Sequence, residues 1–424
     1  MIPLALFLLL LAPMPSGADT TRVRTGAQVL VDADFAPLLG AEARPGAPLR
    51  VGLVTNPTAV VDTSDGGPAH LIDRLAAHPA VALTALFAPE HGLRGRAEAG
   101  ETVVGGEDVE TGIPVISLYG GSKKPPPEAL ADLDLLLFDI QDVGARFYTY
   151  VSTMGYAMQA AAEAGVPFVV LDRPNPLGGV HVSGFVREPA QRSFVGLYPV
   201  PIQHGLTAGE LARMIQGEGW LDGLDRLDLR VVEMDGWRRA MLWPDTGLPF
   251  TPTSPNIPDF ETALVYPGTA LLEGTTASEG RGTDAPFLTV GAPWADADAL
   301  ADALNTRGLP GVRFEPVRFT PRDLPGRASN PKGEGEAHGG VRLVVEDPEG
   351  FYPVEAGIHV LHALHAQRPA GTPFFLPEWL SKMAGTRRFQ TMVEGGMQPE
   401  HLVQTWQEEV AAFEQAREPY LLYD

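Results

Sequence analysis

Five short apolar runs, each closed by a turn signal, constrain the fold of this chain more than any other feature. They are LRVGLVTNP (49–57), VALTALFAPEHG (81–92), IPVISLYGG (113–121), LDLLLFDIQD (133–142) and VPFVVLDRPNP (166–176). Several are apolar at consecutive positions. A strand with one wet face alternates, whereas a strand covered on both faces reads as unbroken Val, Leu and Ile. Helical patterns lie between the runs. HLIDRLAAH (70–78) separates the first two, and STMGYAMQAAAEAG (152–165) ends on a glycine suited to a left-handed cap. Strand–helix alternation of this kind predicts an α/β fold with a Rossmann-like parallel sheet.

The pattern changes further along. LTAGELARMIQGEGW (206–220) predicts a helix opened by a Thr207–Glu210 capping box, and LRVVEM (229–234) a strand. Residues 244–290 are rich in Pro, Gly, Thr and Ser without a period, which predicts a long functional loop. Beyond 291, ADADALADALNTRG (295–308) and VEAGIHVLHALHAQ (354–367) predict helices, and VRFEPVRF (312–319) and GVRLVVED (340–347) strands. GRASNPKGEGEAHGG (326–340) predicts a flexible connection, and the last 45 residues are helical in pattern. The expected division is a catalytic domain over 19–290 and a smaller α+β domain over 291–424.

Length, charge and cysteine content bound the function. A chain of 424 residues suggests two domains. A formal charge of −22 repels nucleic acid and anionic membranes, so neither is an expected partner. The absence of cysteine excludes disulfides, thiolate nucleophiles and cysteine metal sites. The N-terminus, MIPLALFLLLLAPMPSGADT, has the apolar run and small residues of a signal peptide cleaved before Asp19, although its only leading positive charge is the α-amino group. Residues 1–18 are therefore expected to export the protein to the periplasm or beyond. No later segment is long and apolar enough to span a bilayer.

The chemistry-bearing residues follow the apolar runs directly. Thr55-Asn56, Glu90-His91, Asp139/Gln141/Asp142 and Asp172-Arg173-Asn175 sit where strands end. In an open parallel sheet those ends share one edge, and ligands bind in the crevice outside it. They are expected to converge on one cleft. Glu90 is the sharpest candidate, because Asp, Ser or Asn would serve better as a plain cap. A Glu between apolar walls has its pKa raised, as a general acid requires. His91 is a candidate partner, with Gly92 and Gly95 permitting the turn.

FDIQDVGARFYTY (138–150) adds Arg146, Tyr148 and Tyr150, a set suited to a polyhydroxylated ligand. The loop SPNIPDFETALVYPGTALLEGTTASEGRGTDAPF (254–287) adds Asn256, Glu273 and Arg281, the last able to clamp a carboxylate from between two glycines. Other templates fail. Asp139 lacks the second Asp of a haloacid-dehalogenase-type phosphatase, since Gln141 stands there. Phosphate-loop, zinc-protease and nucleophile-elbow motifs are missing. His359, His362 and His365 step round a helix and do not share one face, so no metal is expected.

Taken in order, LVTNPTAV, LFAPEHGLRG, FDIQDVGARFYTY, LDRPNPLGG, PIQHGLTAGELA, SPNIP, VYPGTALLEGT and EGRGTDAPF resemble the motifs of the NamZ-type exo-β-N-acetylmuramidase family. The likeness is dense from about residue 49 to 294 and continues to the closing REPYLLYD. It implies a Rossmann-like domain, a smaller C-terminal domain and an active-site cleft between them. It implies release of N-acetylmuramic acid from the non-reducing ends of peptidoglycan fragments, without a cofactor. Glu90 falls in the APEHG motif and is implied as catalytic, and His204 in PIQHG joins the candidate substrate contacts. Glycoside hydrolysis usually needs two carboxyl groups, so Asp139 or Asp142 is expected to partner Glu90 unless the substrate's acetamido group assists. Muramic acid carries a lactyl carboxylate, for which Arg281, Arg146 and Arg173 are the candidate readers. The competing expectation is an exported muropeptide-binding protein that uses the same cleft without chemistry.

Overall fold

The computed structural model describes residues 22–42, 46–63, 66–93 and 105–424. The expected signal peptide (1–18) and Gly95 lie outside the described residues. Twelve strands are described: β1 (Leu49–Thr55), β2 (Val60–Asp62), β3 (Pro68–His70), β4 (Val81–Ala88), β5 (Gly106–Glu107), β6 (Pro114–Ser117), β7 (Leu135–Asp139), β8 (Phe168–Leu171), β9 (Leu229–Val232), β10 (Thr289–Ala292), β11 (Val312–Phe319) and β12 (His338–Val345).

Seven of them form one sheet in the order β5-β6-β4-β1-β7-β8-β9, parallel except for the β5–β6 edge. Counted along the chain, the six parallel strands run 3-2-1-4-5-6. That is the order of dinucleotide-binding sheets, whose crevice opens at the carboxyl ends where the order reverses. Here the reversal lies between β1 and β7, with Thr55 paired to Asp139 at its rim.

The unbroken apolar runs are explained by cover on both faces. Leu135 and Leu137 pack with Ala27, Leu30, Leu71 and Leu75 on one side of the sheet. Leu136 and Phe138 pack with Met154, Met158, Leu211 and Ile215 on the other. Full burial of each such side chain is worth about 1.5–3 kcal/mol. The helix Tyr150–Ala164 ends at Gly165 in the left-handed region (φ 67°), and Ala208–Gly217 opens with the Thr207–Glu210 capping box.

The second unit is a three-stranded antiparallel sheet, β10-β12-β11, packed with helices Ala297–Asn305 and Pro353–Gln367. Its apolar core is continuous with that of the parallel sheet. The expected division at 290/291 falls inside β10. Residues 244–290 are also more regular than their composition predicts. They contain the helix Phe260–Thr269, whose N-cap Asp259 accepts the amide of Thr262 at 2.8 Å. This helix shows no polar stripe because nearly all of it is buried, and its internal Pro267 hides it further. It meets helix Pro353–Gln367 backbone to backbone, since a Cβ added at Gly268 would lie 1.8 Å from the Pro353 carbonyl oxygen.

Candidate active site

The end of β4 is a strained turn. The Gly92 amide donates to the Pro89 carbonyl at 3.0 Å, and His91 and Gly92 both adopt positive φ, 69° and 72°. For a histidine that conformation costs on the order of 1–2 kcal/mol, and it persists only where the surroundings hold it. The turn leaves the half-buried Glu90 carboxyl between two hydroxyls. Thr149 donates to its Oε2 at 2.6 Å, and Tyr119 is hydrogen-bonded to it as well. Burial, reinforced by the Glu90 charge, pushes the Tyr119 hydroxyl well above its ordinary pKa. Tyr119 follows the end of β6 and Thr149 stands at the N-cap of helix Tyr150–Ala164, so two strand ends and a helix start meet at this one carboxyl.

Glu90 and His91 line a cavity of about 410 Å³. Aromatic side chains supply much of its wall: Tyr119, Phe147, Tyr148, Tyr150, Phe194, Tyr266, Phe287 and Trp379. Such a surface suits the apolar faces of sugar rings, with a few polar groups fixing orientation. Those groups are Glu273, Glu279, Arg281, Arg327 and Lys332. Arg281 is pinned between Gly280 (φ 84°) and Gly282 (φ 79°), where a Cβ would lie 2.1 Å from Thr289 O and 2.6 Å from Arg322 O, respectively. Its guanidinium donates to Glu273 at 3.0 Å and lies 3.5 Å from Glu279. Lys332 lies 2.9 Å from Glu279 and donates to the carbonyls of Leu272 (2.8 Å) and Ala277 (3.3 Å). Burial alone would raise the Glu279 pKa, but Lys332 and Arg281 outweigh it and hold the carboxyl below its ordinary value.

The strand ends do share one sheet edge, yet they do not converge on one cleft as expected. Glu90, His91, Tyr148, Glu273 and Arg281 line it. Thr58, Gln141 and Arg173 line a separate cavity of about 340 Å³ beside Arg24, Gln28 and Trp243. Away from the aromatic cleft, polar residues of the strand ends bind one another. Asp139 is fully buried and holds the Arg173 guanidinium through two bonds of 2.5 and 3.0 Å. Asp142 is buried, accepts the Gly144 amide at 2.7 Å and leaves its other oxygen without a hydrogen bond. Burial pushes its pKa up to about 7. Neither Asp139 nor Asp142 lines the aromatic cleft, so neither is placed as the partner carboxyl expected for Glu90.

The remaining candidates are bound into the scaffold. Arg146 is buried, and its guanidinium donates to the carbonyls of Phe185, Val200 and Met383. Burial lowers its pKa to about 9, and it does not line the cleft. Asp172 caps helix Ala208–Gly217 through Thr207 (2.7 Å) and the Gly209 amide (2.8 Å), and it accepts the hydroxyl of Tyr423 at 2.7 Å. The closing YLLYD is thereby tied to the sheet edge. Asn175 shapes its own turn, bonding Leu206 O and the Leu177 amide at 3.0 Å each. Asn56 accepts the Thr58 amide at 3.0 Å. The His204 ring accepts the Leu206 amide at 3.2 Å, and burial lowers its pKa to about 3. Asn256 serves the cleft indirectly, donating to the Arg327 carbonyl at 2.6 Å.

The sequence rule misses several polar residues of the cleft, among them Tyr119, Thr149, Arg327 and Lys332. Tyr119 ends the third apolar run, where the same strand-end rule would have found it. Thr149 is hidden among the residues flanking a helix start. Arg327 and Lys332 lie in the segment expected to be a flexible connection, and Lys332 is instead tied down by two carbonyls and a carboxylate. Among the described residues, no group of His, Asp and Glu is arranged to hold a metal ion, and no helix is long and apolar enough to cross a membrane.

Residues 51–261 match the family described as exo-beta-N-acetylmuramidase NamZ, N-terminal, and residues 264–423 match its C-terminal counterpart. The chain is 45% identical over 374 residues to the peptidoglycan beta-N-acetylmuramidase NamZ of Bacillus subtilis (strain 168), covering 88% of this chain and 87% of that protein. Among solved structures, two DUF1343 family proteins of Bacteroides fragilis superpose with TM-scores of 0.84 and 0.77. Their identities to this chain are 37% and 32%, and each alignment covers 95% of this chain and 99% of the other.

Proposed function

Because this chain belongs to the exo-β-N-acetylmuramidase family, we propose that it hydrolyses the β-glycosidic bond of N-acetylmuramic acid at the non-reducing ends of peptidoglycan fragments. The observation that carries the proposal is the Glu90 carboxyl, held by a strained turn and two hydroxyls in an aromatic cleft that also contains a charged network. Glu90 protonates the leaving oxygen as its bond to the anomeric carbon breaks. Water adds to that carbon, and the proton it loses restores the site. Among the described residues, the carboxyl groups besides Glu90 that line the cleft are Glu273 and Glu279. Glu279 is held ionised by Lys332 and Arg281 and so is placed in the charged wall of the cleft, not as a second acid.

The test is release of N-acetylmuramic acid from a β-linked muramic acid–glucosamine disaccharide. Replacement Glu90→Gln keeps the shape and removes the transferable proton. It should lower kcat by about 10²–10⁴-fold with a far smaller change in KM. A variant that cleaves as fast as the parent rules out the acid role.

Such a substrate lies outside the cytoplasm, and residues 1–18 are proposed as the signal peptide that takes the enzyme there. Protein recovered from outside the cytoplasm should begin at Asp19. An exported protein that still begins at Met1 argues against cleavage.

A further inference from the structure

We infer that Arg327 reads the lactyl carboxylate of the muramic acid ring and so makes the cleft selective for an acidic sugar; this rests on the muramidase reading above. Among the described residues, the cations lining the cleft are Arg281, Arg327 and Lys332, and the carboxyl groups are Glu90, Glu273 and Glu279. Arg281 and Lys332 are committed to Glu273 and Glu279 at 2.9 to 3.5 Å. Those four groups form a neutral set that satisfies itself. Arg281, the reader expected from sequence, is therefore already engaged. Arg146 and Arg173, the other two expected readers, do not line the cleft. Among the described residues, that leaves the half-buried Arg327 as the cleft cation with no carboxylate partner, while Glu90 is assigned to the scissile bond in the proposed mechanism.

The backbone of Arg327 is built to hold it there. Leu324 and Ala328 exchange two hydrogen bonds of 3.1 and 2.8 Å, closing a tight loop over Gly326 (φ 81°). The Arg327 amide donates to Leu324 O at 2.9 Å, and its carbonyl accepts the Asn256 side chain at 2.6 Å. The following residues, Ala328 to Lys332, continue the same wall and end at the anchored ammonium of Lys332. An arginine on a fixed loop, free of carboxylate partners among the described residues, is shaped to take a planar anion through two parallel N–H bonds. Muramic acid brings one such anion, and N-acetylglucosamine brings none. A site that pairs a charged group rejects the analogue lacking its partner far more strongly than an apolar pocket does.

The experiment compares a chromogenic β-N-acetylmuramide with the same compound carrying a lactamide in place of the lactyl acid. The parent should prefer the acid by about 10- to 100-fold in kcat/KM, the range of a charged hydrogen-bonding pair. In Arg327→Ala the ratio of acid to amide should fall towards one, and Arg327→Lys should keep part of it. A preference that survives unchanged in Arg327→Ala overturns the inference. Calorimetric binding of free N-acetylmuramic acid and its lactamide to the same proteins reads the pairing without turnover. A parent that cleaves neither glycoside sinks the muramidase reading alone, because the binding ratio still decides the role of Arg327.

Discussion

Removing the carboxylate of Asp139 separates scaffold from chemistry at the centre of the sheet edge. In the folded protein, Asp139 and Arg173 are both buried, the former completely, and are joined by two short bonds. Arginine does not deprotonate in proteins, so Asp139→Asn leaves a buried guanidinium facing a neutral amide. Breaking one side of a buried pair costs about 3–5 kcal/mol, because the remaining charge stays desolvated. With a urea slope of about 3 kcal/mol per M, the unfolding midpoint should fall by about 1–2 M. Removing both charges, as Asp139→Asn with Arg173→Gln, should recover most of that loss, since no unpaired charge remains. Circular dichroism in urea reads the stability, and disaccharide hydrolysis in buffer reads the rate per folded molecule. Both variants should keep a rate close to the parent's. If Asp139→Asn instead stays folded at parental stability but loses about 10²–10⁴-fold in kcat, and the double variant does not regain it, Asp139 belongs to the chemistry and its scaffold role is refuted.

Asp142→Asn should stabilise the protein, increasingly with pH. Its folded pKa of about 7 lies above that of an unfolded aspartate, so between about pH 4 and 7 the folded state holds the extra proton. Stability therefore falls as pH rises through that window, and the neutral amide removes the decline. The gain should be absent below about pH 4 and on the order of a few kcal/mol above pH 7, measured by urea unfolding across pH; a gain independent of pH would contradict it. Gly268→Ala places a methyl 1.8 Å from the Pro353 carbonyl oxygen and should cost about 1–3 kcal/mol or more. Since helix Phe260–Thr269 leads into Glu273, kcat/KM should fall too, whereas Gly67→Ala, with nothing within 4 Å, should change neither.

The parts of the fold visible in the sequence are those governed by local periodicity. Two-sided burial explains the runs that became β1, β4, β7 and β8, and capping chemistry explains Thr207 and Gly165. Helix Phe260–Thr269 escaped the same reasoning because burial all round erases the polar stripe by which a helix is recognised. In the cleft, Glu90 was visible as a carboxyl ending an apolar strand. Arg327 and Lys332 were not, because a segment rich in glycine and charge looks alike whether it is loose or clamped. Arg146 and Arg173 were visible as arginines near strand ends, but their partners could not be read from spacing. The carbonyls of Val200 and Met383 that hold Arg146 lie 54 and 237 residues away along the chain.

Side-chain periodicity and turn chemistry act over a few residues, so the order of amino acids is enough to dictate a parallel sheet with Glu90, Asp139 and Asp172 at its strand ends. Which of those charges face an open cleft was settled by how distant segments dock. Asp139 and Arg173 neutralise each other, Glu273 and Glu279 take up Arg281 and Lys332, and Glu90 and Arg327 are brought to one cleft from the two units. The reason is physical. A buried charge must find an opposite charge or a set of dipoles, and which one it finds depends on how distant segments dock.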